Sequence, residues 1–96
     1  MRSIVQNDPV QCYLCGRYSY YLETHHIFGG PNRKLSDKDG LTVKLCADCH
    51  RLGPSAAHRS KATQDYLHFM GKQAYLRTHT LEEFMQRYGR SYEIDT

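Results

Sequence analysis

The sequence predicts a small α+β domain, and three observations carry that prediction. Residues 17–28 and 41–45 alternate as β-strands do, and a stretch with loop composition, residues 29–40, separates them. Two stretches nearer the carboxyl end have helical patterns with recognisable first turns. Four cysteines form two pairs, one ahead of the first strand and one after the second. A chain of 96 residues is one domain, with a core over about residues 10–60 and a helical extension over about residues 61–90.

The carboxyl-terminal stretches are predicted to be two packing helices. Ser60 is an N-cap for a helix over residues 61–76. Thr80 and Glu83 match a capping box ahead of a second helix, which Gly89 ends. Both helices have apolar residues at helical spacing, and the face that carries these residues is expected to pack on the core. These residues are Leu67, Met70 and Ala74, flanked by Tyr66 and Phe69, and then Leu81, Phe84, Met85 and Tyr88.

Composition and charge narrow the function only slightly. The formal net charge of +3 and the pI near 8.7 are compatible with a polyanion partner but do not require one. No apolar run approaches the length of a membrane span. Residues 1–9 lack the apolar segment of a secretory signal, so we expect a reducing, cytoplasmic compartment in which disulfides are rare.

The cysteines have the spacing of a structural zinc site. Two C-x-x-C pairs in a chain too short to bury a large core favour one four-thiolate zinc over two disulfides. Gly16 follows the first pair and suits a tight turn with positive φ. The second pair opens a short helix that Gly53 and Pro54 end. Four filled ligand positions leave no place for a reactive water, so this zinc is expected to be structural. Its ligands are Cys12, Cys15, Cys46 and Cys49.

A histidine doublet, His25 and His26, lies in the first predicted strand. Alternation turns the two side chains to opposite faces unless a bulge re-aims them. His50 directly follows Cys49, and one helical step of about 100° turns it away from the thiolates and toward that strand. Imidazole is both a ligand for divalent ions and the best general base near neutral pH. Phosphodiester hydrolysis needs both, because it requires an activated water and positive charge on the leaving oxygen.

The run His25-His26-Ile27, followed by Leu45-Cys46-Ala47-Asp48-Cys49-His50, resembles the HNH nucleases of the ββα-metal fold. The likeness is to small members with a four-cysteine zinc site, encoded by phages and prophages, and it covers about residues 10–60. It implies a ββα-metal core held by that zinc and a metal-dependent endonuclease that acts on DNA. By position, His25 and His50 become ligands of the catalytic ion, and His26 becomes the general base.

The resemblance also implies further features of the site. Mg²⁺ or Mn²⁺ is the expected catalytic ion, although an imidazole-rich site also accepts Ni²⁺ or Zn²⁺. His58 is the candidate third ligand, with an ordinary surface histidine as the open alternative. The protein would act in the cytoplasm of a bacterial or phage-infected cell. One active site cuts one strand and leaves a 5′ phosphate, so a monomer should nick, while monomer and homodimer both stay open.

One element of the family pattern is missing. The middle asparagine normally falls close to Leu41 and braces the hairpin loop, but no asparagine occurs there. Asn32 or Asp39 is the candidate to orient the base in its place. Glu23 matches an acidic residue that often stands two positions before the doublet.

Basic residues flank the predicted site and suit phosphate contacts, with a solvated basic loop as the alternative for each. They are Arg33, Lys34, Lys38, Lys44, Arg51, Arg59 and Lys61, of which Arg33, Lys34, Arg51 and Arg59 are the predicted DNA contacts. Packing within the sheet is expected for Tyr18, Tyr20 and Tyr21, rather than stacking on bases. His68 and His79 are expected to be structural or solvated.

Two other functions stay open. The missing asparagine favours a zinc-containing nucleic-acid-binding module with a degenerate active site. The third possibility is a structural zinc domain for protein contacts. If the protein is a nuclease, low sequence specificity is expected, because no recognition helix or long basic arm is evident.

Overall fold

The computed structural model describes residues 2–93 and contains two strands and three α-helices, which confirms the α+β class. These are β1 (Glu23–His26), α1 (Arg33–Lys38), β2 (Thr42–Leu45), α2 (Lys61–Leu76) and α3 (Leu81–Tyr88). A 3-10 turn, Gly30–Asn32, leads into α1, and a π-helical segment, Asp48–Leu52, follows β2. No helix within the described range is long and apolar enough to cross a membrane.

The two strands form an antiparallel sheet in which His26 lies opposite Thr42. The first strand is much shorter than the predicted range, residues 17–28. β2 offers only four paired positions, and Tyr18 instead pairs with Gln11 in an isolated bridge. The length of β1 is therefore set by the backbone partners that are available, and side-chain alternation continues beyond it.

The expectation that three tyrosines pack within the sheet is wrong. Tyr18 is 66% exposed, and Tyr20 and Tyr21 are each 91% exposed. These residues precede β1, where no second strand lies beside the chain among the described residues. Their alternation therefore has no sheet face to pack on.

The segment between the strands is also not the loop that its composition predicts, because it contains α1. Ser36 of this helix is fully buried, and its hydroxyl donates to the Leu41 carbonyl at 2.6 Å. The same hydroxyl accepts from the amide of Phe28 at 3.2 Å. Ser36 thus links the end of β1 to the start of β2, and these tertiary contacts outweigh the weak helix propensity of the segment.

The two carboxyl-terminal helices have the caps predicted for them. The Ser60 side chain accepts from the Thr63 amide at the start of α2. Thr80 and Glu83 exchange both hydrogen bonds of a capping box at the start of α3. Gly89, with φ of 82°, ends α3.

The core lies between the sheet and these helices. Four of the predicted positions are buried, namely Leu67, Ala74, Phe84 and Tyr88. Leu81 and Met85 are instead 45% and 44% exposed, and Tyr66 and Phe69 are similarly exposed. The apolar stripe of each helix is therefore wider than the face that meets the core.

The amino-terminal lead-in follows β2 closely. The Ser3 hydroxyl donates to the Thr42 carbonyl at 2.6 Å, and the Lys44 amide donates to Gln6 Oε1 at 2.7 Å. The Ile4 amide donates to the Gly40 carbonyl at 2.9 Å. This segment therefore satisfies backbone groups on the edge of β2 that β1 does not reach.

Gly71→Ala is expected to destabilise the fold. A Cβ atom at Gly71 would lie 2.8 Å from Cγ2 of the buried Ile27 and 3.3 Å from the ring of Phe28. Overpacking of this kind costs about 1–3 kcal/mol, and the helix propensity of alanine returns about 1 kcal/mol. Thermal and urea unfolding measure the change. Gly29→Ala is the control, because no atom lies within 4 Å of its Cβ position, and an equal loss in both variants would contradict the packing explanation.

Candidate metal centres

The four cysteines come together between the amino-terminal C-x-x-C knuckle and the end of β2. Their Sγ atoms all lie within 4.8 Å of one another, and Cys15 Sγ is 3.8 Å from Cys46 Sγ. Tetrahedral zinc with bonds of about 2.3 Å separates its sulfur ligands by about 3.8 Å. No disulfide joins these cysteines. The cysteine cluster, Cys12, Cys15, Cys46 and Cys49, therefore has the geometry of the predicted zinc site.

Backbone hydrogen bonds shape the knuckle. The Gly16 amide donates to the Cys12 carbonyl at 2.9 Å, and Gly16 has the predicted positive φ, 80°. The amide of Tyr13, between the two cysteines, donates to the Lys44 carbonyl at 2.9 Å. This last bond fixes the knuckle against β2, which leads directly into the second cysteine pair.

The electrostatic environment differs among the thiols. Burial raises the pKa of Cys12, but the amides of Cys15, Cys46 and Leu14 point at its sulfur, and the net result is a pKa of about 6. Burial, followed by hydrogen bonds to the other sulfurs, raises the pKa of Cys49. A bound cation would offset that increase, because metal binding displaces thiol protons.

A second cluster, the histidine trio, consists of His25, His50 and His58. Their ligand nitrogens lie within 4.8 Å of one another, and His58 Nε2 is 3.0 Å from His50 Nε2. The ring centroids are 5.2 Å, 5.1 Å and 4.6 Å apart. His25 is buried, whereas His58 is exposed. Three converging imidazoles that are open on one side suit a divalent ion with free positions for other ligands.

The π-helical segment places two members of the trio. The Gly53 amide closes the segment by donating to the Asp48 carbonyl at 2.9 Å, and the chain then turns back. The His58 amide donates to the His50 carbonyl at 3.0 Å, so these residues are neighbours although eight positions apart. The short helix is thus present and ends where predicted, but it is wider than an α-helix. π-Helical turns are frequent at functional sites.

Glu23 orients His50. Its Oε1 atom accepts a hydrogen bond from His50 Nδ1 at 2.8 Å. The lone pair of His50 is therefore on Nε2, the nitrogen nearest His58. Arg51 donates to both carboxylate oxygens, and Arg51 and then His50 lower the pKa of Glu23 to about 2. This role could be anticipated from alternation, since Glu23 and His25 share a face of β1.

His26 faces the opposite side of β1, as alternation predicts. Its Nε2 atom lies 3.3 Å from Oδ1 of Asp37 on α1. Within residues 2–93, the His26 ring makes no ring contact with His25, His50 or His58. A cavity of about 520 Å³ opens on this face, lined in part by Thr24, Asp37 and Lys44. Sequence reasoning missed Asp37, because its segment was predicted to be a loop.

Neither candidate for the missing asparagine has a described contact with His26. Asn32 Nδ2 donates to the Tyr88 carbonyl and to the Tyr92 hydroxyl, each at 2.9 Å. Asp39 accepts from Arg87 and from the Tyr88 hydroxyl at 2.6 Å. Both side chains therefore fasten the segment between the strands to α3 and the residues after it.

The four predicted DNA contacts divide into two groups. Arg33 and Lys34 lie exposed on the first turn of α1. Arg51 is engaged by Glu23, and Arg59 Nη1 donates to the Leu52 carbonyl at 2.7 Å. The second pair thus also supports the polypeptide around the trio.

The two remaining histidines lie among aromatic residues. His68 stacks on Phe28 with the ring centroids 5.4 Å apart, and His79 stacks on Tyr75 at 3.9 Å. These contacts agree with the structural role expected for both.

Comparisons with protein families, with curated proteins and with solved structures find no match for this chain. Its function must therefore be argued from the two clusters and their surroundings.

Acid is expected to destabilise the fold through His25. Burial, followed by the charges of His50 and His58, lowers the pKa of His25 from 6.5 to about 3. Between about pH 6.5 and pH 3, His25 binds a proton in the unfolded chain but stays neutral in the folded chain. The free energy of unfolding therefore falls as the pH drops through this range. We expect the Tm of the wild type to fall more steeply than that of His25→Gln between about pH 6.5 and pH 4.5. Both proteins keep the cysteine cluster, so parallel slopes would contradict the assignment to His25.

Proposed function

We propose that this protein is a metal-dependent endonuclease of the HNH type, which hydrolyses phosphodiester bonds in DNA. The observation that carries the proposal is the convergence of His25, His50 and His58 beside a separate cysteine cluster. A closed four-thiolate site has no place for a substrate, whereas the trio is open on one side. The division supports one structural centre, holding Zn²⁺, and one catalytic centre.

The trio is the proposed site of the catalytic ion. When bound, a divalent ion supplies positive charge at the scissile phosphate and its leaving oxygen. Mg²⁺ or Mn²⁺ is proposed from the family resemblance, whereas the all-imidazole donor set by itself favours Ni²⁺ or Zn²⁺. Glu23 keeps the Nε2 lone pair of His50 directed into the trio, and carboxylate partners of this kind typically raise metal affinity 10–100-fold.

His26 is the proposed general base. Its Nε2 atom is positioned by Asp37, which leaves Nδ1 to take a proton from water. β1 pairs with β2 along one edge only, within the described part of the chain. The proposed mechanism places the phosphodiester at the other edge of β1, with the trio on one face of the strand and His26 on the other. We assign to Asp37 the positioning role of the family's middle asparagine.

Exposed cations near His26 would hold the DNA backbone. Arg33 and Lys34 lie on α1, the helix that also carries Asp37. Neutralising phosphates there would contribute affinity without reading sequence, which suits a nuclease of low specificity. With one active site per chain, a monomer would nick. The proposed biological role is the processing of phage or prophage DNA.

Nicking of supercoiled plasmid tests the proposal. Zinc-loaded protein with added Mg²⁺ or Mn²⁺ is expected to convert supercoiled DNA to the open circle before any linear form appears. Omitting the added ion should stop the reaction while the cysteine cluster keeps its zinc. Intact plasmid with Mg²⁺, Mn²⁺, Ni²⁺ and Zn²⁺ alike would overturn the nuclease assignment.

One observation favours a second candidate, a zinc-containing nucleic-acid-binding module with a degenerate active site. The Asn32 amide is engaged by Tyr88 and Tyr92, away from His26. The same plasmid assay decides between the two, because this module would retard DNA in a gel and leave it uncut with every ion.

A further inference from the structure

The segment between the knuckle and β1 carries a strip of exposed aromatic rings, Tyr18, Tyr20 and Tyr21, called here the tyrosine strip. These residues are 66%, 91% and 91% exposed. Tyrosine normally buries most of its ring and keeps only the hydroxyl near water. Tyr75 and Tyr88 of this chain are buried in that way. Three tyrosines left in solvent within four residues are therefore a feature that folding does not explain.

The backbone beneath these rings is held in place. Tyr18 forms a bridge with Gln11, and the Ser19 amide donates to the Val10 carbonyl at 2.9 Å. The Tyr21 amide donates to the Ser19 hydroxyl at 3.0 Å. The strip is thus anchored to the knuckle, so that a ligand would meet rings on an ordered backbone and lose less entropy on binding.

The strip also leads directly into β1, the strand that carries Glu23 and His25. Tyr21 is two residues before Glu23, which binds His50, and two residues span at most about 7 Å. Residues 9–22 contain no aspartate or glutamate, and Arg17 is exposed beside Tyr18. Aromatic rings with an adjacent cation and no local carboxylate suit bases joined by a phosphate backbone.

We propose that the tyrosine strip binds a single-stranded segment of DNA by stacking on its bases. This inference rests on the proposed function, and it names the substrate class as DNA with unpaired bases beside the cut. In a duplex the faces of the bases are covered by their neighbours, whereas in a single strand they are free for an aromatic ring. The strip therefore favours single strands, overhangs or junctions over intact duplex.

Binding in the absence of a catalytic ion tests the inference independently of cleavage. Zinc-loaded protein is titrated into a fluorescein-labelled strand of about twelve thymidines, or into a duplex of the same length, and polarisation is followed. We expect tighter binding of the strand. Tyr20→Ala/Tyr21→Ala should weaken binding of the strand by at least about ten-fold, since one stacked base contributes that much. Tyr20→Phe/Tyr21→Phe keeps the rings and should stay within about two-fold of the wild type.

Phe69→Ala serves as the control, because it removes an exposed ring on α2, outside the strip. Wild-type affinity in the double alanine variant, or an equal loss in the double phenylalanine variant, would overturn stacking by these tyrosines. Equal affinity for strand and duplex would overturn the proposed substrate class. Absence of cleavage of both plasmid and single-stranded DNA would refute the nuclease alone, since strand binding is measured without cleavage.

Discussion

Cys46→Ser is expected to leave most of the chain unfolded at room temperature. Structural zinc contributes about 10–16 kcal/mol in small zinc domains, whereas a whole domain is stable by only about 5–15 kcal/mol. In this protein the cysteine cluster joins the knuckle, the end of β2 and the start of the π-helical segment. Circular dichroism and zinc content measure the effect, with one tightly held zinc per wild-type chain expected from the cluster.

Two controls separate this explanation from others. His25→Gln should keep its tightly held zinc and its fold, because it alters only the histidine trio. A reductant should leave the wild-type Tm unchanged, since the cysteines form no disulfide. A Cys46→Ser protein that contains no zinc and melts like the wild type would show that the cluster is not structural.

His26→Ala is expected to lower the rate of plasmid nicking by about 10²–10⁴-fold, the range for loss of a general base. Zinc content and Tm should change little, because the His26 side chain is partly exposed, outside the buried core, and its described hydrogen bond is to the exposed Asp37. Initial rates of open-circle formation in Mn²⁺ give the comparison. His26→Ala should still bind single-stranded DNA, which would show that the variant loses catalysis and not DNA binding.

His79→Ala is the matched control. It removes a histidine that lies in the connection between α2 and α3 and stacks on Tyr75 of α2. An undiminished rate of plasmid nicking in His26→Ala would mean that another group acts as the general base. An equal loss in both variants would mean that the effect is not specific to the site.

Local rules predicted those parts of the fold that are decided locally. The caps at Ser60 and Thr80 depend on hydrogen bonds within one turn, and both are confirmed. The spacing of two C-x-x-C pairs depends on the ligand geometry of zinc, and the cysteines do lie together. The opposite directions of His25 and His26 follow from the pleat of a strand.

Other parts depend on contacts that no short stretch of sequence reveals. α1 is held by Ser36, which is bonded to Phe28 after β1 and to Leu41 before β2, although the segment has loop composition. β1 begins only at Glu23 because its partner strand, β2, ends opposite that residue at Leu45. His58 joins the trio through a bond between backbone atoms of residues 50 and 58, across the turn at Gly53. Asp37 could be assigned to His26 only once α1 was known.

The adjacency of Cys49 and His50 has a consequence for how the two centres respond to metal supply. One peptide bond joins a member of the cysteine cluster to a member of the trio. An ion in either centre would fix backbone that the other centre uses, so zinc at the cysteines is expected to tighten binding at the histidines. Thermodynamic reciprocity requires the same factor in the opposite direction. In a zinc-poor cell the trio would therefore lose its geometry with its own ligands intact, and zinc availability would gate whatever chemistry the histidines perform.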